Sequence, residues 1–440
     1  MKKILVLGAG LVARPLVRYL LNHKEFSVIL ADKVLTKTEK IIEKHPNGTA
    51  LELDVDNTSE LAKLVQKCDV VVSLLPWMMH EKVARVCIEY NKNLVTTSYV
   101  KPGLRALESE VKKRGLLFLK EIGVDPGVDH MIAMKAIDKI HSDNGKVVSF
   151  YSYGTSLPAY ESNNNPIGYK FSWSPIGFLL VALNDGRYME NNQIIDISEK
   201  NLFEEYFLKS IPGVGFFEAF VNRDATHYID LYGIHSAESI FRGSLRHIGF
   251  CETWHYFKKL GLLDREICFD FKTNSPRQVL AKLIKSDGKN LLRDISCFLN
   301  IPEYSLTIKK LEWLGLISDE LLPLGNTSVF EMFGHVLQNH LNYEEDEKDM
   351  LILHQEIIAE YPGKTRQKIL STLVSKGDPF GDSATAYTVS LPAAIAVKLI
   401  LEKKIGLTGI QIPIHPQIYE PVLEELNRLN INVVERYVDI

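Results

Sequence analysis

The chain has 440 residues, of which 46% are hydrophobic and 24% are charged, and its formal net charge is −4. This composition is close to the globular average, which excludes a disordered, collagen-like or coiled-coil chain, and the length allows about two to four domains. The nearly balanced charge offers no basic surface for nucleic acid or an anionic membrane. We therefore expect a globular protein whose partner is a small molecule.

The cysteines and the apolar segments bear on the cellular compartment. The 5 dispersed cysteines show no CxxC spacing, which predicts buried thiols in a reducing environment rather than a disulfide framework or a metal site. The basic start Met1–Lys3 before an apolar run imitates a signal peptide, yet this segment also reads as a strand, a glycine turn and a helix. The apolar stretch Leu391–Leu401 is too short to cross a bilayer and contains Lys398. A cytoplasmic protein is expected.

Short apolar runs alternate with amphipathic stretches over residues 1–125. This alternation is typical of a parallel α/β sheet, and runs that are apolar on both sides predict helices on both faces of that sheet. A helix is predicted at Met78–Tyr90 from its apolar spacing. The predicted strands are Ile4–Leu7, Ser27–Ala31, Val70–Leu75, Leu94–Ser98 and Leu116–Leu119.

The pattern changes after Pro126. A mainly helical region begins near Ser275, which is a suitable N-cap before Pro276, and Gly315 is a plausible helix stop within it. The predicted strands of a mixed or antiparallel sheet are Lys146–Tyr151 and Glu266–Phe271. The last predicted elements are the helices Leu391–Glu402 and Pro421–Leu429 and the extended segment Asn432–Val434.

A dinucleotide-binding motif lies between the first strand and the first helix. Residues 8–13 read Gly-Ala-Gly-Leu-Val-Ala, the G-x-G-x-x-A form of the fingerprint. In this motif Gly8 permits the tight turn, Gly10 lets the backbone approach a pyrophosphate, and Ala13 allows close packing of helix on strand. The helix N-terminus then offers unpaired N–H groups to the phosphates. The alternative is a glycine turn that serves only packing.

The residue that ends the second strand bears on the choice of cofactor. Asp32 lies about twenty residues beyond the glycines, where an acid binds the ribose 2′-hydroxyl and disfavours a 2′-phosphate. This predicts NAD over NADP, although the adjacent Lys33 weakens the preference and leaves NADP possible. Asp32 as an ordinary turn acid is the alternative. Leu75 and Ser98 end later strands, where a nicotinamide ribose lies in such folds.

Three longer segments bring a resemblance to a known family. They are Ser73–His80 (SLLPWMMH), Glu121–Met131 (EIGVDPGVDHM) and Asn164–Pro175 (NNPIGYKFSWSP). Together they resemble saccharopine dehydrogenase of the L-glutamate-forming type, and the likeness extends over essentially the whole chain.

The resemblance implies an α/β fold with three parts. These are a Rossmann-type parallel-sheet domain, a mixed α/β domain for substrate binding and dimerisation, and a small helical domain. The expected bounds are 1–125 completed by about 386–440 for the first, 126–274 with about 343–385 for the second, and 275–342 for the third. The implied reaction interconverts saccharopine with 2-aminoadipate 6-semialdehyde and L-glutamate, using a nicotinamide cofactor, in a homodimer. Further cofactor contacts implied are Leu11, Val12, Asp54, Val55 and Ser174.

Two residues are candidates for proton transfer. Oxidation of a secondary amine needs a neutral nitrogen, and the later addition of water needs a proton relay. Asp125 and Tyr99 lie in the matching motifs, and a partly desolvated carboxylate could accept a proton or orient the amine. The alternatives are that Asp125 caps the helix that starts near Gly127 and that Tyr99 only lines the pocket.

Saccharopine carries three carboxylates, so its site requires cations. By resemblance, Arg223 and the segment Ser244–Leu245–Arg246 contact these carboxylates, while Ser98 and Tyr99 contact the glutamate portion. Lys170 is either a proton shuttle, a carboxylate ligand or half of a structural ion pair. His80, His130 and His354 are interpreted as helix or cap residues, and no metal site is predicted.

One departure from the family concerns residues 153–155. The family usually has Cys-Gly-Gly where this chain has Tyr153, Gly154 and Thr155. If this segment lines the pocket, volume and backbone freedom are lost, which affects substrate identity more than reaction class. Two rival functions therefore stay open, a related carboxy-polyamine dehydrogenase and a non-catalytic NAD-binding protein of the same fold.

Overall fold

The computed structural model describes all 440 residues. They form two compact units, the first made of Met1–Val147 with Met350–Ile440 and the second of Val148–Asp349. These bounds differ from the three domains expected from the sequence, so that division stays a prediction.

The first unit begins with alternating strands and helices. In chain order they are β1 (Lys2–Leu7), α1 (Ala13–Leu21), β2 (Phe26–Asp32), α2 (Leu35–Ile42), β3 (Gly48–Glu52), α3 (Thr58–Lys67), β4 (Val70–Ser73), α4 (His80–Glu89), β5 (Asn93–Val95), α5 (Pro102–Arg105), α6 (Glu108–Lys113), β6 (Leu117–Leu119) and α7 (Val128–Ser142). The strands pair in parallel in the order β6-β5-β4-β1-β2-β3. From β1 the chain adds β2 and β3 on one side of the sheet, and from β4 it adds β5 and β6 on the other side. In open α/β sheets the ligand crevice lies where the direction changes in this way, at the carboxyl ends of the strands.

The second unit contains a mixed sheet and a helical region. Its elements are β7 (Lys146–Pro158), α8 (Pro175–Val181), β8 (Gly186–Glu190), β9 (Gln193–Ile197), β10 (Tyr206–Ile211), β11 (Gly215–Val221), α9 (Tyr228–Tyr232), β12 (Ser239–Arg246), α10 (Phe250–Lys259), β13 (Cys268–Asp270), α11 (Pro276–Leu283), α12 (Leu291–Leu299), α13 (Leu306–Trp313), β14 (Asn326–Ser328) and α14 (Val329–His340). Within this unit the strands follow the order β10-β11-β12-β7, in which only β12 and β7 are parallel, and β8 joins β9 to the same sheet.

The chain then returns to the first unit. The returning elements are β15 (Asp349–Glu360), β16 (Gln367–Lys376), α15 (Ala384–Leu401), β17 (Gly409–Gln411), α16 (Pro416–Arg428) and β18 (Val433–Asp439). β17 extends the parallel sheet beside β6, while β15, β16 and β18 pair antiparallel. α15 is long and apolar enough to cross a membrane, but most of it is buried and it packs on α1 as a core helix does.

Two apolar clusters cover the faces of the parallel sheet. Ile4 and Val6 belong to one cluster with residues of α1, α15 and α16, while Leu5 and Leu7 belong to the other with residues of α3 and α4. This arrangement explains why the strands read as continuous apolar runs. The predicted combination of a Rossmann-type parallel sheet, a mixed sheet and a helical segment is confirmed.

Several predicted details are wrong. The strand β3 was not expected, and α15 begins at Ala384 because Ser383 accepts the N–H of Ala386 as its N-cap. The predicted strand Glu266–Phe271 contributes β13, which pairs only with β14 in a separate ribbon. Cys268 and Cys297 are exposed rather than buried.

Candidate active-site residues

The glycine loop has the shape that a pyrophosphate requires. Gly8 has φ +100°, and a Cβ there would lie 3.2 Å from the carbonyl carbon and oxygen of Leu74. A Cβ on Gly10 would meet nothing within 4 Å, so this backbone faces open space. The fully buried Ala13 begins α1, with Val12 as N-cap and Leu11 exposed beside it. The loop therefore fits an anion at the start of α1.

The ends of β2 and β3 carry a charged cluster. The carboxylate of Asp32 accepts hydrogen bonds from the Ala9 N–H at 2.8 Å and the Val34 N–H at 3.0 Å. The Lys33 ammonium lies 3.1 Å from Asp54 and 3.9 Å from Asp56. The backbone N–H of Asp56, with help from Lys33, lowers the pKa of the Asp54 carboxyl. The cation beside Asp32 is thus already shared by two acids.

The two candidate proton-transfer residues contact each other. Tyr99 follows β5 and Asp125 follows β6, and the tyrosine hydroxyl donates to the Asp125 carboxylate at 3.3 Å. The N-terminus of α7 is bonded instead by Asp129, whose carboxylate accepts from the N–H groups of Gly127 at 2.5 Å and His130 at 2.9 Å. Asp129 thus bonds two N–H groups at the start of this helix, and the alternative that Asp125 caps it stays a prediction. Both Tyr99 and Asp125 are half-buried, as is Leu75 after β4.

A buried imidazole at the carboxyl ends of β4 and β5 was not expected. His80 Nδ1 lies 3.0 Å from Ser73 Oγ, and its Nε2 lies 2.9 Å from Ser98 Oγ and 3.2 Å from Thr96 Oγ1. Burial and the charge of Lys120 lower the pKa of His80 to about 3. The prediction of a helix residue holds for its position in α4 but missed these contacts. Polar residues that end consecutive strands were the available signal.

Lys120 continues β6 and is fully buried. Its Nζ has no hydrogen-bond partner, and burial lowers the pKa of its ammonium to about 7. Sequence patterns did not single out this residue. A polar residue directly after a strand that is buried on both faces was the signal.

In the second unit, Arg246 at the end of β12 lies among aromatic rings. Its guanidinium carbon lies 5.3 to 5.7 Å from the ring centroids of Tyr169, Phe178, Phe220 and Phe250. Its Nη1 donates to Thr155 Oγ1 at 3.0 Å and to the Leu245 carbonyl at 2.7 Å, while its buried Nε has no partner. Burial lowers the pKa of this guanidinium. A buried cation with a free donor is suited to a carboxylate.

The segment that departs from the family lies beside this arginine. Thr155 supplies one of its hydrogen bonds, so a side chain replaces the expected glycine in a contact with Arg246. The Tyr153 ring is buried and lies 5.6 Å from Phe241, with the Lys209 ammonium 4.8 Å from its centroid. The substitution therefore fills an aromatic cluster of the sheet. The predicted effect on the pocket stays a prediction.

The remaining predicted residues of the second unit are placed as follows. Ser244 and Leu245 precede Arg246 in β12 and are buried, whereas Arg223 follows the neighbouring β11, is exposed and has φ +63°. The exposed Ser174 caps α8 by accepting the Gly177 N–H at 3.1 Å. Lys170 forms a buried ion pair with Glu347, which fits the structural alternative. His354 lies in β15, so its interpretation as a helix or cap residue is wrong.

The structure thus groups the predicted residues within each unit. The glycine loop, Asp32, Lys33, Asp54, Val55, Leu75, Ser98, Tyr99 and Asp125 lie in the first unit. Ser174, Arg223, Ser244, Leu245 and Arg246 lie in the second. Their assignment as site residues stays a proposal.

Comparison with known proteins identifies the family. Residues 4–119 match the model of the saccharopine dehydrogenase NADP binding domain, and residues 123–431 match that of the saccharopine dehydrogenase C-terminal domain. The chain is 36% identical over 453 residues to saccharopine dehydrogenase [NADP(+), L-glutamate-forming] of Schizosaccharomyces pombe, covering 100% of both chains. It is 34% identical over 437 residues to rat mitochondrial alpha-aminoadipic semialdehyde synthase, covering 97% of this chain and 46% of that protein.

A solved structure agrees with these sequence relatives. The apo, histidine-tagged saccharopine dehydrogenase (L-Glu forming) of Saccharomyces cerevisiae superimposes with a TM-score of 0.91 at 33% identity over 100% of both chains. The family model and the fungal relative are named for NADP, so the comparisons do not support the NAD preference expected from Asp32. By its full-length relatives and both family models, the chain belongs to the saccharopine dehydrogenase family.

Proposed function

We propose that the chain catalyses the nicotinamide-dependent interconversion of saccharopine with 2-aminoadipate 6-semialdehyde and L-glutamate in lysine metabolism. The observation that carries this proposal is the similarity over 100% of both chains to a protein named for that reaction. The glycine loop before α1 is the place for the cofactor, because Gly10 leaves the backbone open to a pyrophosphate. When bound, the nicotinamide supplies the hydride acceptor.

Arginines of the second unit hold the substrate carboxylates in this proposal. Arg246 is the principal residue, because its buried Nε has no partner and only aromatic faces and two neutral oxygen acceptors surround its charge. A carboxylate that bonds this guanidinium gains a charge-assisted hydrogen bond in surroundings of low dielectric. Arg223, Ser244 and Leu245 are proposed as neighbouring contacts.

Asp125 and Tyr99 carry the protons. The Asp125 carboxylate accepts a proton from the substrate ammonium, which leaves the amine lone pair free to drive hydride loss. The resulting imine carbon takes up water, and collapse of the carbinolamine breaks the C–N bond and releases the semialdehyde and glutamate. The Tyr99 hydroxyl, 3.3 Å from Asp125, can pass protons between this carboxylate and the reacting nitrogen.

The finer proposal is a preference for NAD over NADP. It is supported by the Asp32 carboxylate, which two backbone N–H groups hold at the end of β2. A 2′-phosphate would face this charge and would compete with Asp54 and Asp56 for Lys33. Relatives named for NADP point the other way, so the cofactor is a question for direct measurement. Ser98, Leu75 and Ser174 are proposed as further cofactor contacts.

The partner and the compartment are also proposals. We propose a cytoplasmic homodimer whose substrate carries several carboxylates, with no nucleic acid or membrane partner. Size-exclusion chromatography with light scattering tests the dimer, and a monomer at micromolar concentration would contradict it.

The reaction is tested by steady-state kinetics on the purified chain with saccharopine. We expect nicotinamide reduction, with kcat/KM higher for NAD than for NADP at matched concentrations. Absence of reduction with either cofactor would overturn the reaction, whereas a higher value for NADP would overturn only the cofactor preference.

A further inference from the structure

We infer that His80 is a positioning residue that holds Ser98, and with it the segment after β5, in the conformation that receives the nicotinamide cofactor. This inference deepens the proposed function, since it concerns the cofactor site of the same reaction. It rests on the network of buried hydrogen bonds at the carboxyl ends of β4 and β5.

The contacts of His80 join two neighbouring strands. Its Nδ1 reaches Ser73, the last residue of β4, at 3.0 Å, and its Nε2 reaches Ser98 after β5 at 2.9 Å. Thr96 lies 3.2 Å from the same Nε2, and its hydroxyl also accepts the Ser98 N–H at 3.3 Å. Both the side chain and the backbone of Ser98 are therefore held. Tyr99, which bonds Asp125, is the next residue along the chain.

The imidazole is held neutral from several sides. It is 1% exposed, it begins α4, where the helix dipole is positive, and Lys120 approaches from the end of β6. All three disfavour an imidazolium, in keeping with a pKa lowered to about 3. A neutral ring has one N–H donor and one acceptor, so the ring couples the orientations of the Ser73 and Ser98 hydroxyls.

The same geometry argues against a role in proton transfer. Ser73, at the far end of the network, is fully buried, so this end does not reach solvent. Both ring nitrogens are engaged by the hydroxyls of Ser73, Ser98 and Thr96, and burial disfavours the imidazolium that would form if the ring took a proton from the substrate. What His80 contributes is the fixed position of Ser98.

A double-mutant cycle on cofactor affinity tests this role. We expect His80→Leu and Ser98→Ala each to raise the Kd of the better-bound reduced cofactor, NADH or NADPH, by about tenfold in titration calorimetry. The double variant should be no worse than Ser98→Ala alone, because His80 acts on the cofactor through Ser98. His80→Gln, whose amide can donate and accept, should recover most of the affinity. If His80→Leu does not fold, His80→Ala takes its place, because it also removes the contact to Ser98.

The matched control is another fully buried histidine of the first unit. His354 in β15 bonds Thr372 at 2.8 Å and Glu356 at 3.0 Å. We expect His354→Leu to lower the unfolding temperature yet to leave the cofactor Kd within about twofold of wild type.

Three results would overturn the inference. They are an unchanged Kd in His80→Leu, additive effects in the double variant, and an equal loss in His354→Leu. A further contradiction would be the loss of an ionisation between pH 5 and 8 from the kcat profile of His80→Gln, since this would show a proton-transfer role. Calorimetry measures cofactor binding without turnover. If the wild-type chain binds cofactor but does not oxidise saccharopine, the proposed reaction is refuted and the inference about His80 is not.

Discussion

Lys120 in the first unit and Arg246 in the second are both buried cations with a nitrogen that has no hydrogen-bond partner. Burial lowers the pKa of Lys120 to about 7, so this side chain can lose its charge near neutral pH. Burial also lowers the pKa of Arg246, but a guanidinium starts so high that it remains charged. The arginine instead keeps two hydrogen bonds and four aromatic faces around its charge.

A buried lysine and a buried arginine therefore have different consequences for the protein. A lysine that can discharge needs no anion, so Lys120 is a cost to stability that deprotonation relieves. An arginine that stays charged retains unused binding capacity, which an incoming carboxylate can take up. Of the two cations, Arg246 is therefore the one that points to a ligand.

The largest effect is expected from Arg246→Met. This variant removes the charge that is proposed to bind a substrate carboxylate in a buried site. It should lower kcat/KM for saccharopine at least about 100-fold, mostly through KM. Arg187→Gln is the matched control, because Arg187 is an exposed arginine paired with Asp196 at 2.5 Å. Steady-state kinetics of both variants decides, and an unchanged saturation curve for Arg246→Met would remove this arginine from the site.

A kcat effect rather than a KM effect is expected in the first unit. Asp125→Asn keeps the shape of the side chain but cannot take a proton, so kcat should fall about 100-fold with a small change in KM. Tyr99→Phe should cost less, since it removes only the 3.3 Å contact to Asp125. If Asp125→Asn raised KM and left kcat intact, the acid would be a binding residue.

Lys120→Met tests the other member of the pair. The folded-state pKa of about 7 lies below the unfolded value of 10.5, so unfolding takes up a proton between these two pH values. The stability penalty of the lysine is therefore complete below pH 7 and fades as the pH rises toward 10.5. We expect the variant to be more stable than wild type at pH 7, by on the order of a few kcal/mol.

Denaturant titrations at pH 7 and pH 10 measure this difference. The advantage of Lys120→Met should shrink at the higher pH. A variant that is less stable at pH 7, or an advantage equal at both pH values, would show that Lys120 has a partner that offsets its burial.

The smallest effect is expected at the cofactor end. Asp32→Ser removes the charge but keeps an acceptor for the N–H groups of Ala9 and Val34. The ratio of kcat/KM for NADP to that for NAD should rise about tenfold. An unchanged ratio would mean that Asp32 stabilises the glycine loop but does not contact the ribose of the cofactor.

Periodicity and motifs predicted the parallel sheet and the glycine loop, because both are local patterns in the chain. The contacts of His80 could not be predicted, since Ser73 and Ser98 lie 7 and 18 residues away and meet it only when β4 and β5 align. Helix starts were missed where a cap precedes a weakly apolar turn, as at Ser383 and Ala384. The isolation of Lys120 and the aromatic surroundings of Arg246 likewise follow from tertiary packing.

The central claim is that this chain cleaves saccharopine by oxidising its secondary amine. The most direct measurement is the amount of L-glutamate formed per nicotinamide reduced by the purified wild-type chain with saccharopine as the only amine. The account predicts one glutamate for each reduced nicotinamide. Reduction without glutamate, or no reduction with NAD or NADP, would contradict it.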